Sequence, residues 1–239
     1  MSDRPRFYAR PDGELVALRV GPRLASWDAA DHPDQIKLQN YLADTEALLR
    51  PDIDSAPGPL ALWLDVAIPD NVPLLDQRDL DNYLFPLATR LRKASQRKFV
   101  SAWASKHHGG TSGVRVAQAM LAPRPTATVL HHARTTASSA EPGYKQQIHD
   151  QLGGVSALPD GPVALQLSFS VGPARNWMNL WKPTIDALGT LLGTSTPQPW
   201  NPQDGRIVEL GLHCHIRLEP GFDVDITIAA STVPQRKSP

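Results

Sequence analysis

Asp79 and Asp81, one residue apart in the segment 78–91 (RDLDNYLFPLATRL), are the residues of this chain best placed to do chemistry. Two carboxylates at that spacing can reach one hard cation, and Mg²⁺ takes only one or two protein carboxylates while water and substrate phosphate complete its shell. In phosphodiester hydrolysis such an ion activates water and shields the charge that builds on the scissile phosphate. The same pair also suits a plainer role. Acidic side chains at a helix start cap free backbone N–H groups and complement the helix dipole, and an isolated Asp-x-Asp does not choose between the two.

Other residues invite functional readings. The segment 90–98 (RLRKASQRK) holds Arg90, Arg92, Lys93, Arg97 and Lys98 with no acid. Phosphate contacts from such a run give affinity that falls with salt, while a helix C-terminus also favours cations, by about 0.3 to 1 kcal/mol each. His107-His108 and His131-His132 are adjacent pairs that a strand sends to opposite faces, whereas His213 and His215 share a face with Cys214 opposite, two ligands without a third. Trp177, Trp181 and Trp200 can stack on bases or fill a core.

These residues need elements to carry them. Residues 14–20 (ELVALRV) read as a strand ended by Gly21-Pro22, and Asp31 with Pro33 opens a helix whose stripe of Ile36, Leu38, Tyr41, Leu42, Thr45, Leu48 and Leu49 runs to Arg50-Pro51. Residues 60–68 (LALWLDVAI) form a buried strand ended by Pro69, with Asp65 on the opposite face from its leucines. The acidic pair then opens a helix to about residue 95, followed by strands at 98–106 and 114–121 around a His-His-Gly-Gly turn. The order is β-α-β-α-β-β.

After the proline-rich 122–125 the pattern restarts, with a strand at 126–133, a helix at 143–152 and a strand at 163–171. GPLALWLDVAI from Gly58 aligns without gaps on GPVALQLSFSV from Gly161, and 175–188 (RNWMNLWKPTIDAL) keeps Arg, Asn, Pro and Leu at the places they hold in 78–91. Strands from Phe99 and Ile207, then from Val114 and Val224, complete the match. Self-similarity on this scale predicts tandem units packed as a pseudo-twofold dimer. Pro86 and Pro183 hold matching positions, and each removes a helical hydrogen bond, so both helices are expected to start late or kink.

Composition narrows the class. Lys plus Arg equal Asp plus Glu at 24 each, so the whole-molecule field does not steer toward nucleic acid and any such binding must come from local patches. One cysteine, Cys214, excludes an intrachain disulfide and a thiolate zinc cage. With neither a secretory leader nor a membrane-length apolar run, the chain is expected to be soluble and cytoplasmic.

The run PLALWLDVAIPD followed by RDLDNYLFPLATRL resembles the RusA-type Holliday-junction resolvases, whose signature is a D-L-D-N entering a helix after a buried strand. The resemblance covers 14–122 clearly and 126–232 in weaker form. It implies an α+β fold: two tandem RusA-like units, each β-α-β-α-β-β with helices packed on a mixed sheet, forming an intrachain pseudo-dimer. An arm at 1–13 and a tail at 233–239 flank them.

Family members act as homodimers and bind Mg²⁺ through the acidic pair plus a third aspartate just before the following strand, with a lysine three residues after the motif's asparagine. Here the first copy carries Asp79 and Asp81 but has Gln96 and Phe85 at the aspartate and lysine places. The second has Asn176 and Met178 where the pair belongs, yet Lys182 and Asp204 fit the remaining places. One site can then arise from the pair with Asp65 or Asp76, or as a composite reaching Asp204 and Lys182 across the interface.

The resemblance therefore implies a Mg²⁺- or Mn²⁺-dependent, structure-selective DNA endonuclease of recombination and repair. Its catalytic residues would be Asp79, Asp81, Lys182 and Asp204, with the three aspartates as metal ligands. Arg78, Arg90, Arg92, Lys93, Arg97, Lys98 and Arg175 would contact branched or structured DNA. A chain with one site, monomeric around its internal pair, would nick a four-way junction rather than resolve it, which widens the substrates to flaps and nicked duplex. Asp70 and Asp76, in a loop where resolvases tend to be basic, depart from the pattern. The alternative is a catalytically inactive RusA-like DNA-binding or protein-interaction module.

Overall fold

The run Leu60–Ile68 forms a strand because its leucines, Val66 and Ile68 alternate onto one face, and all five are buried. The computed structural model describes residues 5–25, 31–76, 78–196, 200–218 and 221–234. Its strands are β1 Phe7–Tyr8, β2 Val16–Ala17, β3 Leu60–Ile68, β4 Phe99–His108, β5 Gly113–Gln118, β6 Leu121–Ala122, β7 Val129–Thr135, β8 Val163–Val171, β9 Ile207–Ile216 and β10 Val224–Thr232. Its helices are α1 Pro33–Ser55, α2 Leu80–Ser95, α3 Pro142–Gln151, α4 Trp181–Asp186 and α5 Gly189–Leu192, with 3-10 turns at Trp177–Leu180 and Asp204–Arg206. The fold is α+β, a mixed sheet with helices packed on it.

The order of the eight-stranded sheet is β2-β5-β3-β4-β9-β8-β10-β7. Read inward from either edge, it visits the first, last, second and third strand of the corresponding stretch of sequence. β3–β4 and β8–β9 are the parallel pairs, and each slips register once near its start, between Leu60 and Ala61 and between Val163 and Ala164. The halves meet through antiparallel β4–β9, where Trp103 faces Gly211. A Cβ on Gly211 would lie 2.9 Å from the Trp103 ring, so glycine leaves that indole its space. One continuous sheet thus takes in strands of both stretches, where a separate sheet per unit was expected; joining β4 to β9 pairs backbone edges that two separate sheets would leave open.

The helices follow from apolar stripes. α2 buries Leu80, Tyr83, Leu84, Leu87, Ala88 and Leu91, and on α1 Leu38, Leu42, Leu49 and Ile53 turn inward. α1 runs through Pro51 to Ser55, beyond the expected stop, because Leu49 and Ile53 on either side of the proline are both buried. α2 is continuous from Leu80, so the late start expected from Pro86 is not found there. Proline frees the carbonyl of Asn82, and the backbone N–H of Ala25 takes it at 2.9 Å. The matching stretch with Pro183 is split into a 3-10 turn, α4 and α5.

The first strand of the sheet is shorter than 14–20, since β2 pairs with β5 at two positions only. The arm, expected to be loose over 1–13, is held where it is described: Phe7 and Tyr8 are buried, β1 pairs with β6, and Ser168 Oγ donates to the Arg6 carbonyl at 2.8 Å. Residues 235–239 of the expected tail lie outside the described residues. Among the described residues no helix is long and apolar enough to cross a membrane.

Candidate metal centre

Asp79 stands at the N-cap of α2 with an extended backbone, but its carboxylate makes no capping hydrogen bond. Asn82 Nδ2 donates to its Oδ2 at 3.1 Å. The second stretch keeps the same link, Asn176 Nδ2 to Asn179 Oδ1 at 3.1 Å, with an amide in place of the acid. Asp81, in the first turn, is 3% exposed. Asp204 opens the 3-10 turn leading into β9. Each of the three offers an oxygen within 4.8 Å of the others.

The grouping is therefore composite, with two carboxylates from the first stretch and one from the second. Asp65 lies on the other face of the sheet, hydrogen-bonded to Ser105 and, at 3.0 Å, to His107. Asp76 lines the same cavity of about 580 Å³ as Asp79 and Asp204 but is not one of the clustered carboxylates. Lys182 reaches in from α4, its Nζ 2.8 Å from Asp204 Oδ2 and 2.9 Å from Asp186 Oδ1.

Lys106, which sequence reasoning did not single out, binds the halves of the centre together. Its Nζ donates to the carbonyls of Arg78 at 2.8 Å and Gly205 at 2.7 Å, the residues flanking Asp79 and Asp204. The signal was present in the strand alternation. Ala102, Ala104 and Lys106 share the helix-covered face of β4 with Leu62, Leu64 and Val66 beside them, and a charged group on such a face requires partners.

Burial pushes the Asp81 carboxyl up to about 7; Lys182 opposes this, and Asp204 and Asp79 reinforce it. Asp79 is raised as well, by burial first and then by Asp204. Burial lowers Lys106 to about 8 against the pull of Asp79 and Asp204. For Lys182 burial acts downward, but Asp81, Asp204 and Asp186 outweigh it and its pKa is raised. Carboxylates outnumber ammonium groups by two when Asp79, Asp81, Asp186 and Asp204 are ionised beside Lys106 and Lys182. Clustered hard oxygen donors with excess negative charge fit a divalent cation of the Mg²⁺ or Mn²⁺ type.

No family model matches the chain, and no curated protein matches it.

The remaining candidates disperse. Arg90 is ion-paired with Glu46 of α1 at 2.5 Å. Arg97 donates to the carbonyls of Ile53, Ala56 and Gly58, and Arg175 to that of Ala137 at 2.7 Å. Arg78 NH1 lies 3.5 Å from the Tyr83 hydroxyl, Arg92 is half-buried, and Lys93 and Lys98 are exposed. The cations at 90–98 are thus divided between structural ties and free surface.

His213 is enclosed, its ring nitrogens facing Ser101 Oγ at 3.2 Å and Gln166 Oε1 at 3.3 Å, and burial holds its pKa down to about 3. Trp177 and Trp181 pack edge-on in the core at 5.0 Å and are closed to bases, and Trp200 packs against His149. Phe85, at the place where the resemblance expected a lysine, packs on Trp181, and Met178 is buried. Where a second centre would repeat the first, apolar groups fill the core. Among the described residues Asp79, Asp81 and Asp204 form the one metal-competent group.

Proposed function

We propose that this chain is a divalent-metal-dependent, structure-selective DNA endonuclease, a RusA-like tandem duplication folded as an intrachain pseudo-dimer with one composite centre. The observation that carries the reading is the approach of Asp204 and Lys182 to Asp79 and Asp81. Each pair supplies what the other copy lacks. The palindromic strand order and the matched register slips of β3–β4 and β8–β9 support the duplication.

In this reading Asp79, Asp81 and Asp204 hold the cation, which when bound polarises a phosphoryl oxygen and lowers the pKa of water. Lys182 stays charged between Asp204 and Asp186 and offsets negative charge on the phosphate. Lys106 fixes the backbone on both sides of the cluster. The cavity beside Asp79 and Asp204 gives the phosphate its approach. A single centre makes a single cut, so flaps and nicked branches suit one chain better than symmetric resolution.

The second reading, an inactive DNA-binding or protein-interaction module, draws on Asn176 and Met178, which remove the acids from the other copy. The two separate on cleavage of a four-way junction, a flap and plain duplex in Mg²⁺ or Mn²⁺. Native protein is expected to cut a branched substrate and Asp81→Asn to lose about 10²-fold or more. Equal cutting by both, or none by either, would remove the nuclease.

A further inference from the structure

The turn at 96–98 leads into β4 as Asp204–Arg206 leads into β9, and the two turns sit at opposite ends of the β4–β9 pair. A cavity of about 400 Å³ opens beside 96–98, lined by Arg6, Tyr8, Arg97, Lys98 and His215 among others. Among the described residues none of those lining it is a carboxylate. The cavity at the other end is lined by Asp76, Asp79 and Asp204. Corresponding ends of one sheet thus carry opposite charge.

The cations at 96–98 are not absorbed by acids. Arg97 spends its hydrogen bonds on main-chain carbonyls, which leave its charge uncompensated. Lys98 and Arg6 are exposed and ion-pair with no carboxylate among the described residues. Buried Tyr8 and exposed Arg6 line the cavity together. Polar donors and positive charge around a concave space lined by no described carboxylate select an anion.

We propose that this cavity binds a backbone phosphate of DNA, so that the end of the molecule without a metal centre anchors the nucleic acid that the acidic end cuts. The proposal rests on the endonuclease reading for the identity of the anion. Lys98 stands just before β4, eight positions ahead of Lys106, roughly 26 Å at about 3.3 Å per residue. That length matches about eight steps of a DNA strand at about 3.4 Å each. One DNA arm then spans both ends, and an arm much shorter than about eight base pairs reaches only one.

The test is binding of a fluorescent flap DNA in EDTA, across a salt series, by native protein, Lys98→Ala, Lys98→Glu, Arg6→Glu and Asp81→Asn, with Mn²⁺ affinity measured on each. Either charge reversal is expected to weaken DNA binding at least tenfold. Lys98→Ala is expected to lower the slope of log affinity against log salt by about 0.9, the loss of one phosphate contact. Mn²⁺ affinity should stay native in all three of these variants. DNA affinity and salt slope within twofold of native in both Lys98 variants would overturn the anchor, and since Lys98 is exposed, misfolding would not account for a loss. If the reversals lose DNA while Asp81→Asn still cuts and binds Mn²⁺ as native, the anchor stands and the assigned metal centre falls.

Discussion

Asp81 concentrates the electrostatic cost of the centre in one side chain. Burial raises its pKa from 3.8 to about 7, so between those values the folded chain holds a proton that the unfolded chain has released. Stability without metal is then full at low pH and falls as pH rises from about 4 to 7. At about 1.4 kcal/mol per unit the loss is on the order of 2 to 4 kcal/mol. A divalent cation held by the ionised cluster would reverse the loss. Thermal unfolding in EDTA should give a lower Tm at pH 8 than at pH 5, and Mn²⁺ should raise Tm more at pH 8. Asp81→Asn should flatten the first difference and abolish the second; an unchanged pH slope would contradict the assignment.

Lys106 yields a different expectation at the same scale. Lys106→Met strips the donor from two carbonyls beside the cluster, at a cost of about 2 to 4 kcal/mol. Mn²⁺ affinity should fall at least tenfold even though no ligand is altered; native affinity in a folded variant would show that the strut is not needed. The Asp-x-Asp stood out in the sequence because two acids one residue apart at a helix start are a local pattern. Lys106 did not, because its partners belong to residues 78 and 205 and only the folded sheet brings them to one ammonium.

Among the elements, those whose pattern is local were the most legible: β3 and β8 were read to the residue from strict alternation, and α2 was placed by its polar start and apolar stripe, though without the late start expected from Pro86. Those decided by distant contacts were not. α1 outlasts Pro51 because Ile53 is buried and because Arg97, from the segment read as a DNA patch, donates to the carbonyls of Ile53, Ala56 and Gly58. Arg206 does the same service at the carbonyls of Gly161, Leu192 and Pro159. Arg97→Ala should therefore act on the fold, lowering stability by about 2 to 3 kcal/mol. Hydrogen exchange at 53–58 should rise with it, and a variant as stable as native would return Arg97 to the surface patch.

At the scale of the whole molecule, a repeat was expected because GPLALWLDVAI and GPVALQLSFSV align without a gap. The single sheet was not, since nothing local marks Trp103 and Gly211 as partners. That junction has a functional consequence. It sets Asp204 of the second stretch beside Asp79 and Asp81 of the first, so neither half carries the centre alone. The most direct measurement is Mg²⁺-dependent cleavage of flap and four-way-junction DNA by native protein and Asp204→Asn. Native protein should cut, and cutting should fall about 10²-fold or more when that carboxylate, 123 residues from Asp81 in sequence, is neutralised. Native-level cutting by Asp204→Asn would contradict a centre shared between the two halves.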